Sequence, residues 1–328
     1  MRRVLLSVVV ALLGVGALLG VWSYQALNQK KAIDAIEVNI AAGTSTHKIA
    51  TQLQRQGVIS SQLLFRLWSR WTKTSNQLQA GYYRFEGLMS MLDVMEQMQQ
   101  GQVLQLQVTV AEGLRTPEVL QHLAQSTATP LPQWQEAWQS LSDPLRFENL
   151  PVEGVLLPET YTYTLPVDPK KILQQMMQAQ RALLQTITVE TDWNRLRILA
   201  SIIEKETALD EERPLVSAVI RNRMALGMRL QMDPTVIYGM VMRDGAFSGN
   251  ITREDLKRDT PWNSYTRQGI PPSPICNPGQ ASLRAAANPA DATVLYFVAN
   301  GEGGHWFSDS LAAHQQRVRQ WINIERQR

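Results

Sequence analysis

Residues Val4 to Trp22 (VLLSVVVALLGVGALLGVW) carry no charge and a single hydroxyl, that of Ser7. In a helix rising about 1.5 Å per residue the run spans about 28 Å, close to the ~30 Å hydrocarbon core of a bilayer. A segment this apolar must be buried in lipid or removed, so it constrains the chain before any other feature does. Arg2 and Arg3 precede it and Lys30 and Lys31 are the next charges, a bias that favours a cytoplasmic N-terminus. A cleavable signal has a shorter apolar region, of about 7–15 residues, ending in a small-x-small site; this run is longer and ends in the bulky Val21-Trp22. The sequence therefore predicts a cytoplasmic tip (residues 1–3) and an uncleaved transmembrane anchor (4–24), with the remainder beyond the cytoplasmic membrane.

That remainder reads as globular and as more than one folded unit, given 328 residues, 44% hydrophobic and 19% charged. A net charge of +3, with no basic block or aromatic-basic stripe to concentrate it, argues against a nucleic-acid partner. The lone Cys276 excludes an internal disulfide framework and a cysteine-based zinc site. His47, His122, His305 and His314 are scattered without metal-ligand spacing, so no metal and no cofactor are expected. G-x-S-x-G, the P-loop and G-x-G-x-x-G are all missing. Ser45-Thr-His-Lys48 matches S-x-x-K, but no K-T-G follows, and these residues serve better as a helix start.

Two stretches share one design. Val38 to Gly43 reads as a strand and turn, followed by Thr46 as an N-cap and a helix carrying Ile49, Ala50 and Leu53. Val108 to Gly113 is followed by Thr116, Pro117 at the first helical position, and Val119, Leu120 and Leu123. Between them lie an amphipathic stretch (Leu63, Leu64, Leu67, Trp68, Trp71), a strand signal at Gly81-Tyr82-Tyr83, and a Ser90-capped helix bearing Met91, Val94, Met95 and Met98 that Gly101 ends. These Trp and Met side chains are expected in a core. Further on, helices are predicted from Pro169 to Leu184 and from Asp192 to Ala208, a Pro/Gly-rich loop from Thr260 to Gly279, a strand from Val294 to Ala299, and a terminal helix capped by Ser308. The fold class is α+β.

The segment from Leu196 to Ala208 is the most informative chemically. At 100° per residue Leu196, Leu199, Ala200, Ile203 and Thr207 share a face; Glu204 lies about 60° from its centre and Glu206 about 100° away on the other side. Ile198 and Ile202 fall on the far side, so the helix is apolar nearly all round and expected to be central. Glu204 has Ala200 and Ser201 one turn before it and Thr207 and Ala208 one turn after. A carboxyl among small residues leaves room for a substrate, and partial burial suits a general acid. The competing reading is a buried hydrogen bond or ion pair, for instance with Arg221 or Arg229. Downstream, Gln231 to Gly239 mixes a turn, an acid (Asp233) and a phenol (Tyr238), and the loop with Trp262, Asn263 and Tyr265 offers the flat rings and amides that carbohydrate recognition uses. Asp233 before Pro234 is as good a turn former as a second carboxylate.

Several segments in order carry a resemblance: Glu153-Gly-x-Leu-x-Pro-Glu-Thr-Tyr161, Leu199-Ala-Ser-Ile-Ile-Glu204-Lys-Glu-Thr207, Arg229-Leu-Gln-x-Asp-Pro-Thr-Val-x-Tyr238, Asn263-Ser-Tyr265, Gly269-Ile-Pro-Pro, Asn277-Pro-Gly279, and the tail with Leu295 to Asn300 and His305-Trp-Phe-Ser. Together the chain resembles the membrane-anchored endolytic murein transglycosylases, the MltG or YceG-like proteins. Ser264 stands where the family usually has Thr, and Ser273 where it has Gly. The resemblance implies a small LysM-like α/β module with its linker (25–107), a larger mixed α+β catalytic domain (108–328) in the periplasm, and an inner-membrane location with the N-terminus cytoplasmic. It implies Glu204 as the catalytic residue, acting without metal or cofactor on peptidoglycan glycan strands to leave 1,6-anhydro-MurNAc ends, with peptidoglycan synthases (penicillin-binding proteins) as partners. Gln231, Tyr238, Asn263 and Tyr265 are then candidates to hold the sugars. Two rivals stay open: a muramidase-like hydrolase in which Asp233 helps a water, and a membrane-tethered peptidoglycan-binding scaffold.

Overall fold

The computed structural model describes residues 13–14, 20–142, 150–187, 192–247 and 249–327. Most of the expected anchor, 4–24, lies outside these residues; residues 20–28 are helical. No helix among the described residues is long and apolar enough to cross a membrane. The chain divides into two compact units, Met1–Leu106 with Thr162–Val167, and Gln107–Tyr161 with Asp168–Arg328.

The first unit is built on an antiparallel pair, β1 (Lys31–Ile40) and β2 (Gly81–Met89), in which Val38 faces Tyr83. Alternation decides its faces: Tyr83 and Phe85 point into the core and stack at 5.8 Å, while Arg84 and Glu86 point to solvent. Helices α1 (Thr46–Arg55), α2 (Gln62–Trp71) and α3 (Met91–Gln99) complete the unit. α3 is specified locally. Ser90 and Asp93 form a reciprocal capping box, and Met91, Val94, Met95 and Met98, at i, i+3, i+4 and i+7, are all buried. Two sequence expectations shift. Ser45 caps α1, accepting the Lys48 N–H, so Thr46 is the first helical residue. In α2 the buried stripe runs through Phe65 and Ser69 with Trp68 partly covered, which turns Leu63, Leu67 and Trp71 outward; Trp71 is 74% exposed.

The second unit is mostly helical. After β3 (Leu106–Thr109) come α4 (Thr116–Ser126), α5 (Leu131–Ser142), β4 (Thr160–Tyr163), α6 (Pro169–Ile187) and α7 (Trp193–Glu206). They are followed by α8 (Arg213–Ala225), α9 (Asp233–Asp244), the short α10 (Arg253–Lys257), α11 (Gln280–Ala287), the hairpin β5 (Tyr296–Ala299)–β6 (His305–Ser308) and α12 (Leu311–Gln327). α7 is central as its all-round apolar pattern predicts: it buries Leu196, Ile198, Ala200, Ile202 and Ile203 and packs against α8, α9 and α11. Asp192 caps it by accepting the Arg195 N–H. Thr116 is not the cap of α4 that the sequence suggests. Arg115 holds that position, and the Thr116 N–H and hydroxyl both donate to Glu153 at 2.7 Å. Ser308 is likewise not the cap of α12, because it pairs with Tyr296 at the end of β6; the Ser310 hydroxyl accepts the Ala313 N–H instead.

Candidate active site

Three segments of the second unit converge at the C-terminal end of α7. The turn 112–116 and the loop 277–279 are tied together by backbone bonds: the Gly113 N–H donates to the Asn277 carbonyl at 3.0 Å and the Asn277 N–H to the Leu114 carbonyl at 2.9 Å. The Asn277 side chain reinforces the tie, accepting the Leu156 N–H and donating to the Leu114 carbonyl. Asn277 is thus a buried clamp. α7 is held to the same loop by the Ser201 hydroxyl, which accepts the Ile275 N–H at 3.1 Å.

Two groups meet the Glu204 carboxyl, one from the clamp and one from α8. Its Oε2 accepts the Gly279 N–H at 2.8 Å, and its Oε1 lies 3.6 Å from Arg213 Nη2 on α8. The side chains of both Glu204 and Arg213 are only 6% exposed. The same Nη2 lies 3.7 Å from Oε2 of Glu112, whose side chain is 44% exposed. Arg213 is further fixed by the Ser282 hydroxyl and by Asp210. Of the two alternatives that the sequence left for Glu204, the ion pair is therefore present, but with Arg213. Arg221 instead reaches the Ala290 carbonyl and Arg229 the Tyr265 carbonyl. Burial and the neighbouring Glu204 charge hold the Glu112 carboxyl above its ordinary range, with Arg213 opposing them.

The pair does not close the site off. Gly113, in the left-handed region at φ +75°, has no side chain to stand over Glu204: a Cβ there would lie 3.6 Å from Glu204 Cγ and 3.5 Å from Lys205 Cδ. Gly113 and Lys205 are also walls of a groove of about 450 Å³, whose other walls include Arg115, Ile237, Tyr238 and Phe247. The groove thus reaches Lys205, next to Glu204 in the chain, and Gly113, which lies over the Glu204 side chain, while the Glu204 carboxyl lies behind these walls. Its size, mixed walls and few polar groups fit a small-molecule or sugar site.

The four candidate sugar-binding residues separate. Tyr238 is on this groove, packed edge-to-face on Trp262 at 5.1 Å, and its buried hydroxyl has no hydrogen-bond partner among the described residues. Such an orphan is costly unless a ligand or water completes it. Asn263 is completely buried. Its amide donates to the carbonyls of Asp255, Leu256 and Arg258 and its oxygen accepts the N–H groups of Tyr265 and Thr266, so it shapes the loop and has nothing left for a sugar. Ser264 and Ser273, the two departures noted above, are also engaged, with the Met232 N–H and the Trp262 indole. Tyr265 donates to Asp233 at 2.5 Å. Gln231 is exposed and held at φ +51°, an unusual conformation for a non-glycine residue, with its N–H on the Ser264 carbonyl.

Asp233 and Tyr265 gather around Glu206 rather than Glu204, as two steps along a helix dictate. Glu206 Oε1 is buried without a partner among the described residues, and burial together with the charge of Asp233 pushes its carboxyl up to about 8, against the opposing Arg223. Its proton is bound in the folded state and lost from the unfolded chain above about pH 4.5. Stability from this group is therefore full below that pH and drains away as pH rises through about 8. Glu206→Gln is expected to raise the thermal midpoint relative to the native chain at pH 8–9 and to have little effect near pH 4–5. Equal effects at both pH values would contradict the assignment.

Sequence reasoning missed Glu112, Arg213 and Gly279. Gly279 stands in the Asn-Pro-Gly segment already singled out, and Glu112 ends the second strand–turn; their common property, proximity to Glu204, is long-range.

The profile of the YceG-like family matches residues 38–320. A Bacillus subtilis (strain 168) protein named endolytic murein transglycosylase is 27% identical over 323 residues, covering 92% of this chain and 88% of the relative. A Streptococcus pneumoniae (strain R6) protein of the same name is 28% identical over 361 residues, covering 96% of this chain. The match takes in 64% of that longer relative. Among solved structures, the 2.6 Å crystal structure of a putative YceG-like protein from Listeria monocytogenes superposes with a TM-score of 0.52 at 29% identity, covering 86% of this chain and 99% of the other.

Proposed function

Because the chain belongs to the YceG-like family, we propose that it is an endolytic lytic transglycosylase, cleaving MurNAc–GlcNAc bonds within peptidoglycan glycan strands and leaving 1,6-anhydro-MurNAc ends. The observation that carries the reading is Glu204: a carboxyl anchored on one side by Gly279 and Arg213, beside a groove that reaches Lys205 and Gly113. The name borne by the Bacillus and Streptococcus relatives points the same way.

The chemistry asks for one proton. Glu204 gives it to the oxygen leaving muramic acid C1, and the C1–O bond breaks with its electron pair passing to that oxygen. The C6 hydroxyl of the same sugar then attacks C1, and its proton passes to the Glu204 carboxylate, restoring the acid. No water is consumed, and the attacking hydroxyl is supplied by proximity within the ring. The Gly279 N–H and Arg213 stabilise the carboxylate during the interval when Glu204 lacks the proton. Tyr238, whose hydroxyl has no partner among the described residues, is the candidate best placed to meet a sugar in the groove.

Residues 4–24 would anchor the chain in the inner membrane with the N-terminus cytoplasmic, 25–107 would form a LysM-like module, and 108–328 a periplasmic catalytic domain. So tethered, the enzyme would meet strands newly made by peptidoglycan synthases such as penicillin-binding proteins, and its cuts would terminate their elongation.

The test is mass spectrometry of products from un-crosslinked glycan strands. Anhydro ends lighter by one water than reducing ends are expected. Reducing ends would make the protein a muramidase-like hydrolase, and binding without any cleavage would make it a wall-binding scaffold.

A further inference from the structure

Both close contacts of Glu204 are hydrogen-bond donors or cations. A backbone N–H at 2.8 Å and a guanidinium at 3.6 Å each stabilise the carboxylate, whereas the first step of the proposed reaction needs that carboxyl to arrive with a proton. A second carboxyl lies within reach of the same guanidinium: Glu112 Oε2 is 3.7 Å from the same Nη2.

We propose that Glu112 is a positioning residue of the active site: its carboxylate shares Arg213 with Glu204, so that the guanidinium is partly neutralised while Glu204 holds its proton and becomes available to Glu204 when that proton leaves. The inference rests on the reading of Glu204 as the proton donor. Its second support is the way the chain makes room for Glu112. Gly279, which donates to Glu204, has its bare Cα against the Glu112 carboxyl; a Cβ at Gly279 would collide with that carboxyl. The backbone bonds from Gly113 to Asn277 and from Asn277 to Leu114 fix the approach. The charged surroundings are few. Glu112 is faced by Glu204, Arg213 and Glu159, Arg213 also by Asp210, and the Lys205 ammonium lies on the Gly113 carbonyl beside them. Burial and the Glu204 charge raise the Glu112 carboxyl, as expected for two acids that feel one another across a common cation.

The sign of the effect follows. Removing the Glu112 charge takes away the repulsion between the two carboxyls and leaves Arg213 to act on Glu204 alone, and losing a neighbouring negative charge favours the proton-free form of an acid. A general acid must arrive protonated, so the alkaline limb of the activity profile moves down. The experiment is the pH profile of kcat/KM for anhydro-end formation by the full chain on un-crosslinked glycan strands. Glu112→Gln is expected to shift the alkaline limb down by about one pH unit, cutting activity roughly tenfold above the limb. Glu112→Asp should recover part of the shift. Gly279→Ala provides an independent check, because its φ of −76° suits alanine and the added methyl displaces the Glu112 carboxyl; the limb should move in the same direction.

A limb that stays in place in all three variants overturns the proposal, whether activity is unchanged or reduced evenly at every pH. The second pattern would make Glu112 merely structural. Glu204→Gln run alongside separates the two readings. If it is inactive while the limb of Glu112→Gln does not move, only the role of Glu112 falls; if it remains active, the assignment of Glu204 falls and this inference with it.

Discussion

Glu204→Gln is expected to reduce the formation of anhydro ends by about a thousandfold, the range that a general acid–base group contributes. Glutamine keeps the length and planarity of the side chain, and its carbonyl oxygen can still accept the Gly279 N–H that now lies 2.8 Å from Oε2. It removes the titratable proton, and with it both halves of the proposed cycle, in which the same group would protonate the leaving oxygen and later receive the C6 proton. Folding should survive. Arg213 retains Glu112, Asp210 and the Ser282 hydroxyl as partners, and the apolar face of α7 is untouched. The readout is anhydro-product formation at equal protein concentration, with the thermal midpoint as control. Anhydro ends formed at the native rate by a folded Glu204→Gln protein would remove Glu204 from the mechanism.

The second large effect is on stability. Arg213→Leu is expected to cost about 3 kcal/mol at pH 7, the scale seen when one partner of a buried pair is removed. The loss comes mainly from Glu204, left nearly enclosed and without its cation; the pair with Asp210, whose side chain is 82% exposed, contributes little of it. Glu112, half-exposed, can recover some solvation. The pH dependence has a definite sign. Arg213 opposes the rise of the Glu112 carboxyl, so removing it favours the protonated form of that group in the folded state; the deficit is full above the ordinary glutamate range and shrinks as pH falls below it. Urea unfolding of the native chain and of Arg213→Leu at pH 7 and pH 4 measures this. A deficit that is equal at both pH values would mean that lost packing of the long side chain, and not the stranded carboxylate, sets the cost.

Much of the scaffold was legible because its signals are local. A serine followed by Asp93 three residues later and methionines at helical spacing specify α3 without reference to anything distant, and the apolar residues on all sides of Leu196–Ile203 already require a helix enclosed by others. The errors were local as well, at ends where adjacent hydroxyls compete. Ser45 outcompetes Thr46, and Ser310 rather than Ser308 starts the last helix because Ser308 is drawn into a strand pair. The amphipathic Leu63–Trp71 stretch shows a different limit: its periodicity is real, but which stripe turns inward depends on the sheet it meets, and Phe65 prevailed over Trp71.

The site divides in the same way. Helical geometry alone puts Glu204 and Glu206 on different sides of α7, so the sequence determined that these two acids serve different surroundings. It could not say what those surroundings are. Arg213, Glu112 and Gly279 reach Glu204 across separations of 9 to 92 residues in the chain, and Asn263, which reads as an ideal sugar-binding amide, is consumed by five backbone groups of its own loop. Residue type and spacing determine which elements form and which chemistry is available. Only the tertiary structure decides which cation meets which carboxylate and which polar group remains unspent, because those outcomes depend on desolvation and on distances of a few ångströms between segments that the chain order keeps apart.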